Sequence, residues 1–519
     1  MPISQSGALN TTALVVPDLY VQIVPPQNLV LNGVPTNVLG VVGSAQWGPV
    51  NQPVIIGSMA AYSANFGAIQ ARKYDMGTHV ATAVQQGASN FRCVRVTDGT
   101  DVAATVIILS TCLTITALYS GTLGNSISVT VGTGSKASSN RITIGIPGQV
   151  PEVYDNLTGT GNALWVAAAA AINAGTGPLR GPSQLVTASA GAGTTAPTLA
   201  TYTLTGGTDG VATPATVLTA ITGADTTPRT GMYALRGEGC SVAVLADYDT
   251  STNWTVAMAY GLSEGIYMVL CGPSGDTIAN AVTTKNTAGI DSYAVKLMFG
   301  DWIYWNDPVN QVLRLVSPQG FVAGRLANMS PENSTLNKPL YGVVDSQKSG
   351  LNPLQSSAYS AAELQTLFQA GIDVISNPQP AGSFWGCRLG HNSSSNPAVN
   401  GDNYTRMTNY IASTLNAGMG QYVGQVINST LFNKIKGTLS SFCQNLLGQG
   451  LLGTMDGSLP FGVICDISNN PSTRTSIGYV QADVQIQYQA INEKFLVNME
   501  GGTTVVVKRQ TTSTGLIAA

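Results

Sequence analysis

Asn37-Val38-Leu39-Gly40-Val41-Val42-Gly43-Ser44-Ala45-Gln46-Trp47-Gly48-Pro49-Val50 is the stretch that decides the fold. Residues 38–43 are a short apolar run bounded by turn formers, the pattern of a buried strand. Trp47-Gly48-Pro49-Val50 then turns the chain. Ser58 is placed to cap a helix ending at Gly67, and Asp75 to cap another running to Gln86, because side-chain oxygens there accept the free N–H groups of the first helical turn. Residues 91–97 return as a strand. Strand, helix, helix and strand in that order open an α/β layer.

Downstream, the composition shifts at Asp98. Residues 100–200 are rich in Thr, Ser and Gly, with strand-like runs at 106–109, 113–118, 127–131 and 142–146 and one Ala-rich helix at 163–173. Gly206-Gly207-Thr208-Asp209-Gly210 closes this segment. Strand and helix alternate again over 241–305, at 241–245, 254–261, 266–270, 277–287, 293–299 and 303–305. Helices follow at 361–369, 404–415 and 429–449, then strands at 461–467, 479–487 and 503–508. Upstream, residues 15–24 alternate imperfectly and end at Pro25-Pro26, which reads as a strand outside any local sheet. The expected architecture is therefore mixed α/β (α+β) and multidomain, with a discontinuous α/β core, a small β-rich inserted domain and extended terminal arms. Its expected parts are an arm at 1–24, the first part of the core at 25–99, the β-rich insert at 100–210, an α/β domain at 211–350, a C-terminal α/β domain at 351–500 and a second arm at 501–519.

Composition excludes several functions. The chain has 519 residues, 9% of them charged, with 23 Lys+Arg against 26 Asp+Glu and a formal net charge of −3. Binding a phosphate backbone requires clustered basic residues, and no five-residue basic run exists, so no nucleic acid is expected as a partner. Hydrophobic residues at 44% allow a large buried core and argue against disorder. Low charge with abundant Thr, Ser, Gly and Asn fits a surface buried against copies of itself. Residues 1–16 lack Lys and Arg, so no secretory signal is expected. Residues 102–135 carry no charge, yet their β-branched residues interleave with Thr and Gly, which fits strands better than a membrane helix. No direct membrane insertion is expected.

Little chemistry survives inspection. Of the two histidines, His79 lies on an apolar helix face and His391 in a polar loop, where it is expected to be solvated. Gly261-Leu262-Ser263-Glu264-Gly265 spells a nucleophile elbow, but a helix precedes Ser263 and a strand follows, the reverse of the required order. Gly132-Thr133-Gly134-Ser135-Lys136-Ala137 has the spacing of a dinucleotide loop but joins two strands, so a hairpin turn accounts for it. The seven cysteines form no CxxC pair, which favours buried thiols; their odd count leaves at least one without an intrachain partner, the arrangement a disulfide between subunits would use. No catalytic, cofactor or metal residue is assigned, and no enzyme activity is expected.

Several segments taken in order resemble the tail sheath proteins of contractile bacteriophages and related injection machines. The first is 37–53 with its following helix ending at Phe66-Gly67. Next come Ala117-Leu118-Tyr119-Ser120-Gly121-Thr122-Leu123-Gly124-Asn125-Ser126-Ile127 and Leu204-Thr205-Gly206-Gly207-Thr208-Asp209-Gly210. Ser317-Pro318-Gln319-Gly320-Phe321-Val322-Ala323-Gly324, Phe384-Trp385-Gly386-Cys387-Arg388-Leu389 and Asn403-Tyr404-Thr405-Arg406-Met407 complete the series, which spans about residues 35–500. Gln319 stands where the family usually has Ser, and Leu389 where it has Thr.

The resemblance implies a virion tail protein, assembled in the host bacterial cytoplasm, whose copies stack as hexameric rings into a helical sheath. Its implied partners are itself, an inner tail tube protein, and baseplate and tail terminator proteins. Contraction would drive the tube through the host envelope without cofactor or nucleotide, from energy stored in one of two packings of the same subunit. Leu19, Tyr20, Val21 and Ile23 in one arm, and Val505, Val506 and Val507 in the other, are the expected subunit contacts, donated as strands to an open sheet edge in a neighbour's C-terminal domain. Lys434 and Lys436 are candidate contacts to an acidic tube surface. The rival readings are a surface-lattice protein and an α/β hydrolase built around Ser263.

Overall fold

The computed structural model describes residues 31–178, 180–348, 358–501 and 503–504, and the backbone of 3–4 and 21–22. The chain divides into two units, 1–489 and 490–519. Near the start, β1 (Ile3–Ser4) pairs in parallel with β2 (Val21–Gln22).

The opening stretch folds as its sequence dictates. β3 (Leu39–Gly43) is buried along its whole length, and β4 (Pro53–Ile56) follows the Trp47 turn. α1 (Met59–Phe66) is capped by the Ser58 side chain and α2 (Met76–Gln85) by Asp75, each accepting from a first-turn N–H. β5 (Phe91–Arg95) then pairs in parallel with β3, Val41 opposite Cys93.

The insert is a two-sheet sandwich. β6 (Thr105–Ile108), β7 (Leu113–Ala117), β8 (Ser128–Thr133), β9 (Asn140–Gly145), β10 (Glu152–Leu157), α3 (Asn162–Ala174), β11 (Val186–Ala190) and β12 (Ala200–Thr203) form it. The sheets run β10-β9-β8-β12 and β11-β7-β6. Their inward residues, among them Ile115, Val129, Ile142 and Tyr154, close on Trp165 and Ile172 of α3. β8 and β9 are antiparallel, so the Gly134 loop between them is a hairpin turn. Two sequence motifs 82 residues apart meet at the neck of the insert: Asn125 Nδ2 donates to Gly207 O at 3.0 Å while Gly207 N–H donates to Asn125 Oδ1 at 2.7 Å. Beside them, Asp209 Oδ1 accepts Thr122 N–H at 2.6 Å, and its other oxygen pairs with Arg72.

The α/β layer resumes with α4 (Pro214–Thr222), β13 (Val242–Leu245), α5 (Trp254–Glu264), β14 (Tyr267–Cys271), α6 (Ile278–Thr287) and β15 (Val295–Met298). A three-stranded antiparallel sheet in the order β17 (Val312–Val316), β16 (Ile303–Asp307), β18 (Val343–Ser346) has α7 (Gln319–Asn328) between β17 and β18 in sequence, and α8 (Ala361–Gln369) leads to β19 (Ile372–Asp373). The central sheet runs β19-β15-β14-β13-β3-β5-β4, parallel except for β4. Alternate residues of each strand face two cores. Val41, Cys93, Val244 and Val269 meet α2 and α7 on one side; Val42, Val94, Leu245 and Leu270 meet Val217, Trp254, Ala257 and Leu367 on the other. Burial on both faces explains why these strands read as continuous apolar runs.

Beyond the sheet, β20 (Ile375–Ser376) pairs with β21 (Gly386–Cys387). α9 (Asp402–Met419) and α10 (Ser429–Gly448) then carry a last two-stranded sheet, β22 (Phe461–Ile464) and β23 (Asp483–Ile486), with α11 (Ser472–Thr475) between its strands. The strand expected at 479–487 is thus confined to β23, because Tyr479 N–H is turned to Arg474 O and Gln481 N–H to Asn470 Oδ1. In the second unit the described residues, 490–501 and 503–504, contain no helix or strand.

Candidate assembly surface

The central sheet changes direction at β3: the chain first builds β5 and β4 on one side of it and later β13, β14, β15 and β19 on the other. In doubly wound sheets the crevice beyond the strand ends at such a point binds ligands. Here it is packed with side chains. Gln319, at the first turn of α7, donates from Nε2 to Leu245 O at the end of β13 at 3.0 Å and to Val269 O within β14 at 2.8 Å. His79 Nε2 lies 3.1 Å from Asp247 Oδ1, and both residues are buried. The helix face of His79 predicts a half-buried side chain with a hydrogen-bond partner; it has the partner but is fully buried, because Asp247 meets it from the end of the central sheet. Asp247 is held below the usual carboxylate range against the opposing effect of its burial by His79, Ser317 and the Tyr74 N–H.

Other chemical readings meet the same geometry. Ser263 lies within α5 and donates from Oγ back to Tyr260 O at 3.0 Å, which is a helical side chain and not an exposed elbow nucleophile. A cavity of about 610 Å³ opens beyond β14 and β15, but its charged groups are engaged: Lys348 pairs with Glu363, and Asp301 accepts Tyr359 OH at 2.6 Å. His391 is half-buried, not solvated as expected: its backbone O accepts Lys296 Nζ at 3.0 Å. Among the described residues no group of His, Cys, Asp or Glu could hold a metal ion. All seven cysteines are free and buried. Burial raises the thiol pKa of Cys240 to about 12 and of Cys443 to about 11, so the thiolate needed for exchange is scarce.

The β22–β23 sheet has only two strands, and among the described residues neither outer edge has a strand beside it. α10 backs it with Leu431, Phe432, Ile435 and Leu439 against Val463 and Val484. Large apolar side chains around it face outward: Ile467 is 82% exposed, Ile477 70% and Tyr479 63%. In the second unit, Phe495, Leu496, Val497 and Met499 are exposed in a stretch without helix or strand. Two-stranded sheets are marginal alone, and open edges are templates for another chain. Lys434 and Lys436 are both exposed on α10, Lys436 on the flank of the packing face near Asp466.

Of the arm residues expected from sequence, only Val21 is described, within the backbone pairing of β2 with β1. Leu19, Tyr20, Ile23, Val505, Val506 and Val507 lie outside the described residues. Thr503 and Thr504 are in a turn where a strand was expected. The exposed run 495–499 escaped sequence reading, although its apolar residues lie between Lys494 and Glu500, a charged bracket that marks a short accessible segment.

Taken along its length, this is the fold of contractile sheath proteins. The solved structures it resembles include a sheath tail protein from Desulfitobacterium hafniense, with a TM-score of 0.58 and 16% identity over 86% of this chain and 93% of that one. A sheath tail protein from Listeria innocua gives 0.57 and 15%, over 84% and 90%. The sheath of an extracellular contractile injection system, solved in its contracted state, gives 0.53 and 12%, over 95% and 99%. No family model and no curated protein sequence matches the chain.

Proposed function

We propose that the chain is the repeating subunit of a contractile tail sheath, which polymerises with copies of itself around an inner tail tube and shortens to drive that tube through a cell envelope. The observation that carries this reading is the two-stranded β22–β23 sheet, which among the described residues has no further strand beside either edge, set in a chain with a sheath-protein fold. Strands donated by neighbouring copies would complete it. Backbone hydrogen bonds across the edge depend little on side-chain detail, and the extended linkers flex without releasing the strand, so subunits stay joined while they repack.

The arms at 1–24 and 501–519, with Leu19, Tyr20, Val21, Ile23 and Val505–Val507, are the proposed donors. Lys434 and Lys436 are proposed to meet an acidic tube surface, and the sheath ends to meet baseplate and terminator proteins. The work is mechanical, so no catalytic step or cofactor is assigned. The place of action is a tail assembled in a bacterial cytoplasm; among the described residues no helix is long and apolar enough to cross a membrane.

Electron microscopy of the purified full chain tests the proposal. Tubes or stacked rings are expected; flat lattices or discrete particles under all salt conditions would overturn it. Deleting 1–24 or 503–519 is expected to leave a folded monomer that does not form tubes.

A further inference from the structure

One buried cluster has no part in the assembly surface. Lys296 of β15 places Nζ 2.7 Å from Asp373 Oδ2 and 3.0 and 3.1 Å from the two carboxyl oxygens of Asp402, and all three side chains have 0% exposure. Asp373 sits on β19, diagonal to Lys296 in the ladder where Met298 faces it, and Asp402 opens α9. A lysine held at 0% exposure against two carboxyl groups has an electrophile and a separate proton carrier within one contact shell. We propose that Lys296 and Asp373 condense into an intramolecular amide, with Asp402 carrying the proton.

The atoms balance without any other reactant. One ammonium proton passes to Asp373 Oδ2 across the 2.7 Å contact, leaving an amine beside a carboxylic acid. The amine lone pair forms the new bond to Asp373 Cγ. Electron density moves onto Oδ1, where the N–H groups of Val374 and Leu389 already donate at 2.7 and 2.9 Å, the arrangement that stabilises a developing oxyanion. Asp402 takes a second proton from nitrogen and returns it to the hydroxyl at Oδ2, which leaves as water. The remaining amide N–H faces His391 O, now 3.0 Å from Nζ.

Two features favour this outcome. Condensation removes one buried positive and one buried negative charge, each costly to hold away from water, and contact replaces the entropy of bringing the groups together. Asp402 is also satisfied without the lysine: it accepts Tyr267 OH at 2.6 Å and Thr335 N–H at 3.2 Å and lies at the positive end of α9. The resulting bond would tie β15 to β19 at the margin of the central sheet.

Mass spectrometry of the purified full chain decides it, whatever the chain's function. The expected result is an intact mass in denaturant one water below the unlinked chain, and a protease digest containing one branched peptide with Lys296 joined to Asp373. Separate, unmodified Lys296 and Asp373 peptides in wild-type protein would overturn the proposal, and so would a water loss that persists in Lys296→Met. Asp402→Asn keeps the shape and the Tyr267 contact, and it is expected to stay folded but unlinked; a linked Asp402→Asn chain would overturn the proton-carrier role. Because the wild-type digest suffices, failure of either variant to fold leaves the test intact.

Discussion

Gly324 of α7 lies so close to Ala83 of α2 that a β-carbon at position 324 would stand 2.4 Å from the Ala83 Cα. One turn earlier, a β-carbon at Gly320 would lie 3.0 Å from His79 Cα and O. The two glycines therefore set the spacing of the helices that cover one face of the central sheet, which explains their place in the Gln319–Gly324 motif. Gly324→Ala is expected to cost at least about 1–3 kcal/mol through overpacking, since the opposing atoms are backbone and cannot swing aside. Denaturant unfolding reads this as a lower midpoint.

The neck of the insert rests on Asn125 and Asp209. Asn125→Ala leaves the Gly207 N–H and C=O unpartnered and is expected to cost about 1–3 kcal/mol. Limited proteolysis should then cut near residues 98–101 or 206–212 faster than in wild type, while cutting elsewhere is unchanged. Uniform acceleration would show that the neck is not a local joint.

Asp75 gives a pH dependence of known sign. It is fully buried, and burial raises its carboxyl from 3.8 to about 6 despite the opposing Arg72 and Thr78 contacts. Between these values the folded state binds more protons than the unfolded one, so this residue's contribution to stability falls as pH rises from about 4 to 6. Asp75→Asn keeps the N-cap acceptor and is expected to flatten that slope in urea midpoints measured across the window. An unchanged slope would assign it to other groups.

The thiols are expected to be silent. In native protein none of the seven cysteines should react with a disulfide reagent on the time scale on which all react in denaturant, because each is buried and free. Rapid reaction of even one would mean that the subunit opens around it.

Lys434 and Lys436 are exposed, so reversing both charges is expected to leave thermal stability unchanged. Co-sedimentation with the inner tube should weaken, and more so at low salt, where exposed charges are least screened. Undiminished co-sedimentation would remove these residues from the proposed tube contact.

Local signals in the chain carried much of this structure. Ser58 and Asp75 cap the helices their spacing predicts, Gly134 turns the hairpin it was assigned to, and the apolar run at Val38 is the buried centre of the sheet. α7 was not legible: it is buried almost all round, so its sequence lacks the one-sided stripe that marks a surface helix. β10 and β11 escaped because Tyr154 and Val186 owe their burial to partners elsewhere in the sandwich.

What the sequence by itself determined was the class of architecture, because caps, turns and apolar runs act over a few residues. Tertiary structure alone decided that Lys296 would meet Asp402 across 106 residues, that Gln319 would bond the carbonyls of two central strands, and that β22 and β23 would have no further strand beside them among the described residues. Those relations arise from which strands become neighbours, and pairing between distant segments leaves no mark on either segment's own pattern.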